Sequence, residues 1–298
     1  MTSWGHRAID ALFHPNWIWR RLQWSWMLRR SRPSIRTVRT ANGLISFDTR
    51  DHTIGRALYI KRQYEMDLIR DAMRALRRDG YLDLDPSGCV LDVGANIGII
   101  SIALIKERYF SRALAIEPDP ENFALLERNV RQNELESQVR CLAHAVSNRT
   151  GTLLLARSEN WGGHYITQSE DGALPVQAVQ AITLDELVAH DPELRAPDSV
   201  SLIWIDVEGY EAWCLAGARQ LLARRIPVVS EFWADGMARA GTTASDYAKL
   251  TAELFTHFYV ASRGSARGFM RYPIGDISLL FDRLSREREH NIILVNAG

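Results

Sequence analysis

The segment Val90-Leu91-Asp92-Val93-Gly94-Ala95-Asn96-Ile97-Gly98-Ile99-Ile100 constrains the fold more than any other stretch of the chain. An apolar run ends in an acid and a glycine-rich turn, and a second apolar run follows at once. This is the pattern of a buried parallel strand that feeds a tight turn and then a helix. Nineteen residues past Gly98, a further apolar run over 112–116 ends in Glu117. A glycine turn with an acid at the next strand tip is how a doubly wound sheet holds a nucleoside.

From residue 89 onward the pattern alternates. It predicts strands over 89–93, 112–116, 139–146, 200–205 and 226–231, and helices over 97–108, 120–133, 183–190, 210–223 and 245–257. Residues 152–156 and 177–182 read as a hairpin insertion, and 258–260 as a short strand. Thr183 with Glu186 reads as a capping box. Residues 292–295 read as an edge strand that closes the chain. Alternation of this kind argues for a doubly wound, Rossmann-like α/β domain over 89–298. Ahead of it, residues 37–88 read as a hairpin around Asn42-Gly43 followed by a helix over 64–78. Residues 1–36 form a separate extension.

That extension carries the charge asymmetry of the chain. The net charge is zero, yet no acid occurs between Asp10 and Asp48, a stretch with seven arginines. Five of the nine tryptophans also lie in residues 1–36. Drawn as a helix, Ile18, Leu22 and Trp26 form one stripe and Trp17, Trp24 and Leu28 another. Two readings follow: a helix that packs on the main domain, and a helix that touches a membrane surface through Trp and Arg over residues 1–34. No basic motif or second basic patch supports nucleic-acid binding. No apolar run reaches the ~20 residues of a membrane span, and the N-terminus lacks the pattern of a signal peptide. Cys89, Cys141 and Cys214 have neither metal-ligand nor disulfide spacing, which favours a reducing cytoplasm.

A dinucleotide site would carry G-x-G-x-x-G. Here the turn is Gly94-Ala95-Asn96-Ile97-Gly98, and Asp92 sits beside it. An acid there disfavours a pyrophosphate and favours an ammonium, which points to S-adenosylmethionine. The glycines let backbone approach the ligand, and amides near Ile97 and Gly98 can meet its carboxylate. Glu117 can accept hydrogen bonds from the ribose hydroxyls.

Further motifs fall in order: Leu91 to Gly98, then Glu117-Pro118-Asp119-Pro120-Glu121-Asn122-Phe123, Leu126-Glu127-Arg128-Asn129-Val130-Arg131-Gln132-Asn133, Ala145-Val146-Ser147 with Gly151, Thr183-Leu184-Asp185-Glu186-Leu187, and Ile205-Asp206-Val207-Glu208-Gly209-Tyr210-Glu211. Over about residues 38–232 the chain resembles the FkbM-type family of S-adenosylmethionine-dependent methyltransferases. The resemblance implies a class I methyltransferase fold and O-methylation of a hydroxyl on a sugar, glycan or natural product. It also implies that Asp119, His144 and Ala145 lie near the adenine, that Pro118 belongs to the cofactor site, and that Glu65 closes over the cofactor. The family has Lys two residues before the Asp of its Asp-x-Glu-Gly motif. This chain has Trp204, at a position expected to point away from both motif acids.

In-line transfer to a hydroxyl needs alignment and gains from a base. Asp206 and Glu208, at a strand tip where open sheets place ligands, are the candidates. Glu208 has a competing reading as the cap of the following helix. The segment Asn160-Trp161-Gly162-Gly163-His164-Tyr165 reads as an acceptor loop, with His164 as a second candidate base. Asp206, Glu208 and Glu231 could meet at adjacent strand tips, but no His or Cys joins them at metal-ligand spacing, so no metal is expected. The competing classes are a nicotinamide-dependent oxidoreductase and a non-catalytic nucleoside-binding module.

Overall fold

The computed structural model describes residues 15–30, 32–158, 163–167, 174–261, 268–284 and 290–296. After the helix Pro15–Arg30, β1 (Ile35–Thr40) and β2 (Gly43–Asp48) pair antiparallel as the expected hairpin. The helices Ile54–Lys61 and Met66–Arg78 follow. The first of these lacked a clear periodic signal.

The wound unit then runs through β3 (Cys89–Val93), β4 (Arg112–Ile116), β5 (Val139–Leu142), β6 (Ala145–Val146), β7 (Gly151–Ala156), β8 (Tyr165–Thr167), β9 (Val176–Ile182), β10 (Val200–Ile205) and β11 (Val228–Phe232). It closes with β12 (His257–Ala261), β13 (Phe269–Pro273) and β14 (His290–Val295). Eight strands form the central sheet in the order β13-β12-β14-β11-β10-β3-β4-β5. β3, β4, β5, β10 and β11 are parallel, and β14 enters antiparallel between β11 and β12. This is the class I methyltransferase order. The switch point lies between β3 and β10, where the connections leave in opposite directions and a crevice opens at the strand tips.

Both faces of this sheet are covered, which is why its strands read as unbroken apolar runs. Val90 of β3 joins a core on one face, while Cys89, Leu91 and Val93 join the core on the other. The first core extends from Trp24 of the leading helix to Val295 of β14, so the residues before 89 share it. The hairpin is also stitched to the helix Pro120–Gln132. Asn129 Oδ1 accepts from Ser46 N at 2.7 Å, and Asn129 Nδ2 donates to Ser46 O at 3.0 Å.

Several expectations need correction. β14 is an interior strand, and the edge is β13. The strand expected over 139–146 divides after Leu142, and β6 joins a second sheet, β6-β9-β7-β8, that contains the expected hairpin insertion. The helix expected over 210–223 breaks into Glu211–Ala216 and Arg219–Leu222 around Gly217, where a Cβ would lie 2.0 Å from Ser147 O. At Thr183 only half of the capping box forms: its hydroxyl accepts from Glu186 N, while the Glu186 carboxylate bonds to Thr150. Trp204 does not point away from the motif acid. Residues two apart share a strand face, and Trp204 is buried in the same core as Leu202, on the side to which Asp206 continues.

Candidate functional site

The crevice at the switch point has two lobes that meet at Gly94, Asn96, Tyr165, Asp206 and Glu208. The inner lobe is walled by Glu117 and Pro118 after β4, by His144 and Ala145 at the β5–β6 corner, and by His164. The outer lobe, of about 350 Å³, takes in Asp92, Ala95, Glu65, Tyr64, Glu231, Trp233 and Arg239. That volume falls at the low end of small-molecule sites.

Several left-handed residues lie in this crevice. Gly94 sits at φ +82° and Gly98 at +87°. Asn96, Glu65 and Glu208 hold φ of 50°, 54° and 57°, a left-handed region that costs a side chain about 1–2 kcal/mol. All three line the crevice. Strain of this sort is kept where surrounding structure enforces it, most often at functional sites.

Asp92 is buried, and its Oδ2 accepts from Ser101 N at 3.0 Å and Ser101 Oγ at 2.5 Å. It therefore also satisfies an orphan amide in the first turn of the helix Ile99–Lys106. Burial raises its pKa to about 6, against the lowering effect of the Ser101 hydrogen bonds. Glu117 is buried as well. Its Oε2 accepts from Asn96 N and its Oε1 from Asp119 N, each at 2.8 Å. Desolvation, with repulsion from Asp119 and Asp92, pushes its pKa to about 8 despite those amides.

Ile97, Gly98 and Asp119, all expected at the cofactor, line neither lobe. Gly98 starts the helix Ile99–Lys106, and a Cβ there would meet Leu126 Cδ1 at 2.6 Å. Asp119 is fully buried as the N-cap of the helix Pro120–Gln132, accepting from Glu121 N and Asn122 N, and pairs with Arg157 Nε at 2.9 Å. Asp-Pro-Glu is a legible helix start, with Pro at the first helical position.

His164 lines the inner lobe but is poorly suited to act as a base. Ser158 N donates to its Nδ1 at 3.1 Å, so that lone pair is in use. Burial lowers its pKa, which keeps the ring neutral with its proton on Nε2, 3.9 Å from Asp119. Gly163 lines the outer lobe and Tyr165 both lobes. Asn160, Trp161 and Gly162 lie outside the described residues.

Asp206 follows β10 directly, and its N–H donates to Val93 O at 3.0 Å. The turn after it is closed by a residue that the sequence reading missed. Glu211 Oε1 accepts from Val207 N at 3.2 Å and Gly209 N at 3.1 Å, so Glu211 holds the helix start. An acid in the first turn was the available signal. Burial raises the Glu211 pKa to about 7. Arg239 was also missed. Its guanidinium lies over the Tyr165 ring at 3.8 Å and the Trp233 ring at 4.7 Å, and donates to Glu208 O at 2.6 Å. It ties the insertion sheet to the β10 turn. Among the described residues no group of three or more His, Cys, Asp or Glu is arranged to hold a metal ion.

Known proteins resemble this chain. The family model described as the methyltransferase FkbM domain matches residues 92–258, more than half of the chain. A curated relative, methyltransferase sdnD of Sordaria araneosa, is 31% identical over 153 residues. That match covers 43% of this chain and 59% of the relative, so the chain spans less than two thirds of its length. The crystal structure of methyltransferase FkbM from Methylobacillus flagellatus KT aligns with a TM-score of 0.43 and 16% identity, over 74% of this chain and 47% of that one. By the extent of the domain match, this chain belongs to the FkbM methyltransferase family.

Proposed function

We propose that the chain is an S-adenosylmethionine-dependent O-methyltransferase acting on a hydroxyl of a sugar, glycan or natural-product acceptor. One observation carries the cofactor reading. Two buried carboxyls, Asp92 of the outer lobe and Glu117 of the inner lobe, flank the same glycine turn, and no Lys or Arg lines the inner lobe among the described residues. A pyrophosphate at that turn would lie between these two carboxyls, and the cation that lines either lobe among the described residues, Arg239, is already engaged by Tyr165, Trp233 and Glu208 O, which disfavours a nicotinamide dinucleotide. An ammonium and a ribose diol, with no phosphate, fit the same pair.

Other features support the fit. Gly94 lets the β3 and β10 tips approach closely beneath the crevice, because a Cβ there would lie 1.9 Å from Asp206 O. His144 Nδ1 is buried with no hydrogen-bond partner among the described residues, at the wall where a base would lie. On this reading Asp92 holds the ammonium, and Glu117, whose oxygens each accept one backbone amide, takes the hydroxyl donors on its further lone pairs. The cofactor supplies a methyl group already activated on a sulfonium. The protein's share is alignment, plus a group to hold the acceptor hydroxyl and take its proton, and Asp206 or Glu208 fills that role. The outer lobe favours a polyhydroxylated acceptor. Asp206, Glu208 and Glu231 offer acceptors, Tyr165 and Trp233 offer ring faces, and the buried Trp233 Nε1 has no hydrogen-bond partner among the described residues.

Glu117→Gln tests the cofactor reading. A hydrogen bond to a charged group contributes ~1.5–3 kcal/mol, so S-adenosylhomocysteine should bind about tenfold to a hundredfold more weakly. In the empty crevice Glu117, with a pKa of about 8, is mostly protonated at neutral pH. Hydroxyl donors favour its ionised form, so binding should release a proton, visible as a binding heat that varies with buffer. The variant should lose that release. Linkage also acts on the empty protein. A raised acid pKa favours folding at low pH and is a growing penalty as pH climbs from the ordinary 4.5 to about 8. Thermal stability should fall across that window, less so in Glu117→Gln. Unchanged affinity and proton release in the variant would remove Glu117 from the cofactor site.

A further inference from the structure

The helix Pro15–Arg30 has two apolar stripes on opposite sides, which is why its overall amphipathicity looks weak. One stripe is buried. Trp24, 2% exposed, and Met27 join the core, with Trp24 against Phe47 and against Tyr59 of the helix Ile54–Lys61. The other faces outward: Ile18 is 46% exposed, Trp19 67%, Leu22 56% and Trp26 59%. Steps of three and four residues align these on one side of the helix. With Leu28, this helix holds five of the nine exposed large apolar side chains among the described residues. A stripe so concentrated marks a contact surface, whereas scattered exposed leucines would not.

The charge around the stripe identifies the partner. Arg21 and Arg29 are exposed on the same helix, Arg32, Arg36 and Arg39 are exposed just after it, and residues 11–47 contain no acid. We propose that the outward stripe docks on an anionic membrane surface, with the helix lying in the headgroup plane. Indole rings suit that layer, and arginines beside them meet lipid phosphates. A second copy of the chain is a poorer partner, because a two-fold contact through this stripe would set its arginines against one another. The helix Ile54–Lys61 connects this surface to the crevice: it supports the docking helix, and its first residue, Ile54, lines the outer lobe.

The test is co-sedimentation of the full chain with phosphatidylcholine vesicles, with and without phosphatidylglycerol. Two variants accompany it: Trp19→Ser/Leu22→Ser/Trp26→Ser and Arg21→Gln/Arg29→Gln, each checked for an unchanged melting temperature. The wild type should partition onto the anionic vesicles, weakly onto the neutral ones, and less as salt rises. Each variant should lower anionic partitioning at least about tenfold. If the apolar variant melts early, the arginine variant decides. No partitioning by the wild type, or partitioning by the variants equal to it, would overturn the proposal. So would a wild-type dimer in solution that the apolar variant converts to a monomer.

Discussion

Gly94→Ala should lower the melting temperature by roughly 10 °C and abolish S-adenosylhomocysteine binding. An ideal Cβ on Gly94 would lie 1.9 Å from the carbonyl oxygen of Asp206. That oxygen is backbone, anchored by the ladder between β3 and β10, so no side chain can swing aside. The φ of +82° adds the ordinary left-handed penalty of ~1–2 kcal/mol. Together the two effects place the substitution in the class of severe lesions, at about 4 kcal/mol or more. Gly80→Ala separates them. Gly80 has φ +76°, but a Cβ there would meet nothing within 4 Å. It should pay the conformational cost alone and keep cofactor binding. Equal effects of the two substitutions, read by thermal melts and binding titration, would mean that the close approach of the β3 and β10 tips does not shape the site.

Asp206→Asn or Glu208→Gln should lower the methyl transfer rate by about 10²–10⁴, the usual loss when a positioned general base is removed. S-adenosylhomocysteine affinity should hold in the variant that acts through the acceptor alone. Glu208→Gln should also leave the fold intact, within about 0.5 kcal/mol, because Glu211 holds the turn. Glu211→Gln is the useful contrast. The amide oxygen of Gln can still accept from Val207 and Gly209, so any loss there reports on the turn and not on proton transfer. Single-turnover rates with labelled methyl donor provide the measurement. Near-normal rates in both Asp206→Asn and Glu208→Gln would remove these two acids from the chemistry.

The parts of this site that were legible in the sequence are those encoded by neighbours along the chain. A strand, a glycine turn and a helix start fall in one short segment, so the cradle around Gly94 and the approach of Glu117 follow from local pattern. The Asp206 tip follows in the same way. What escaped was set by distant packing. Arg239 and Trp233 reach the outer lobe from the segment after β11, and nothing in their own surroundings marks them. Thr53 and Ile54 line that lobe only because the leading helices fold back onto the sheet. β14 reads as an edge from the end of the chain, yet its place between β11 and β12 is a property of the whole sheet. His164 was read as a second candidate base, and its capacity as one depends on a backbone amide six residues away that occupies its Nδ1. The leading helix shows the same division: the stripe Ile18, Leu22 and Trp26 is legible and lies outward, while of the second expected stripe Trp24 is buried and Leu28 exposed, with Met27 beside Trp24 in the core.

The central claim is that the β3 turn holds a nucleoside bearing an amino acid and no phosphate. The most direct test is calorimetric titration of the full chain with S-adenosylhomocysteine and, separately, with NAD. One equivalent of S-adenosylhomocysteine should bind with release of a proton near neutral pH, and NAD should give no heat of binding. Tight binding of NAD without binding of S-adenosylhomocysteine would contradict the claim.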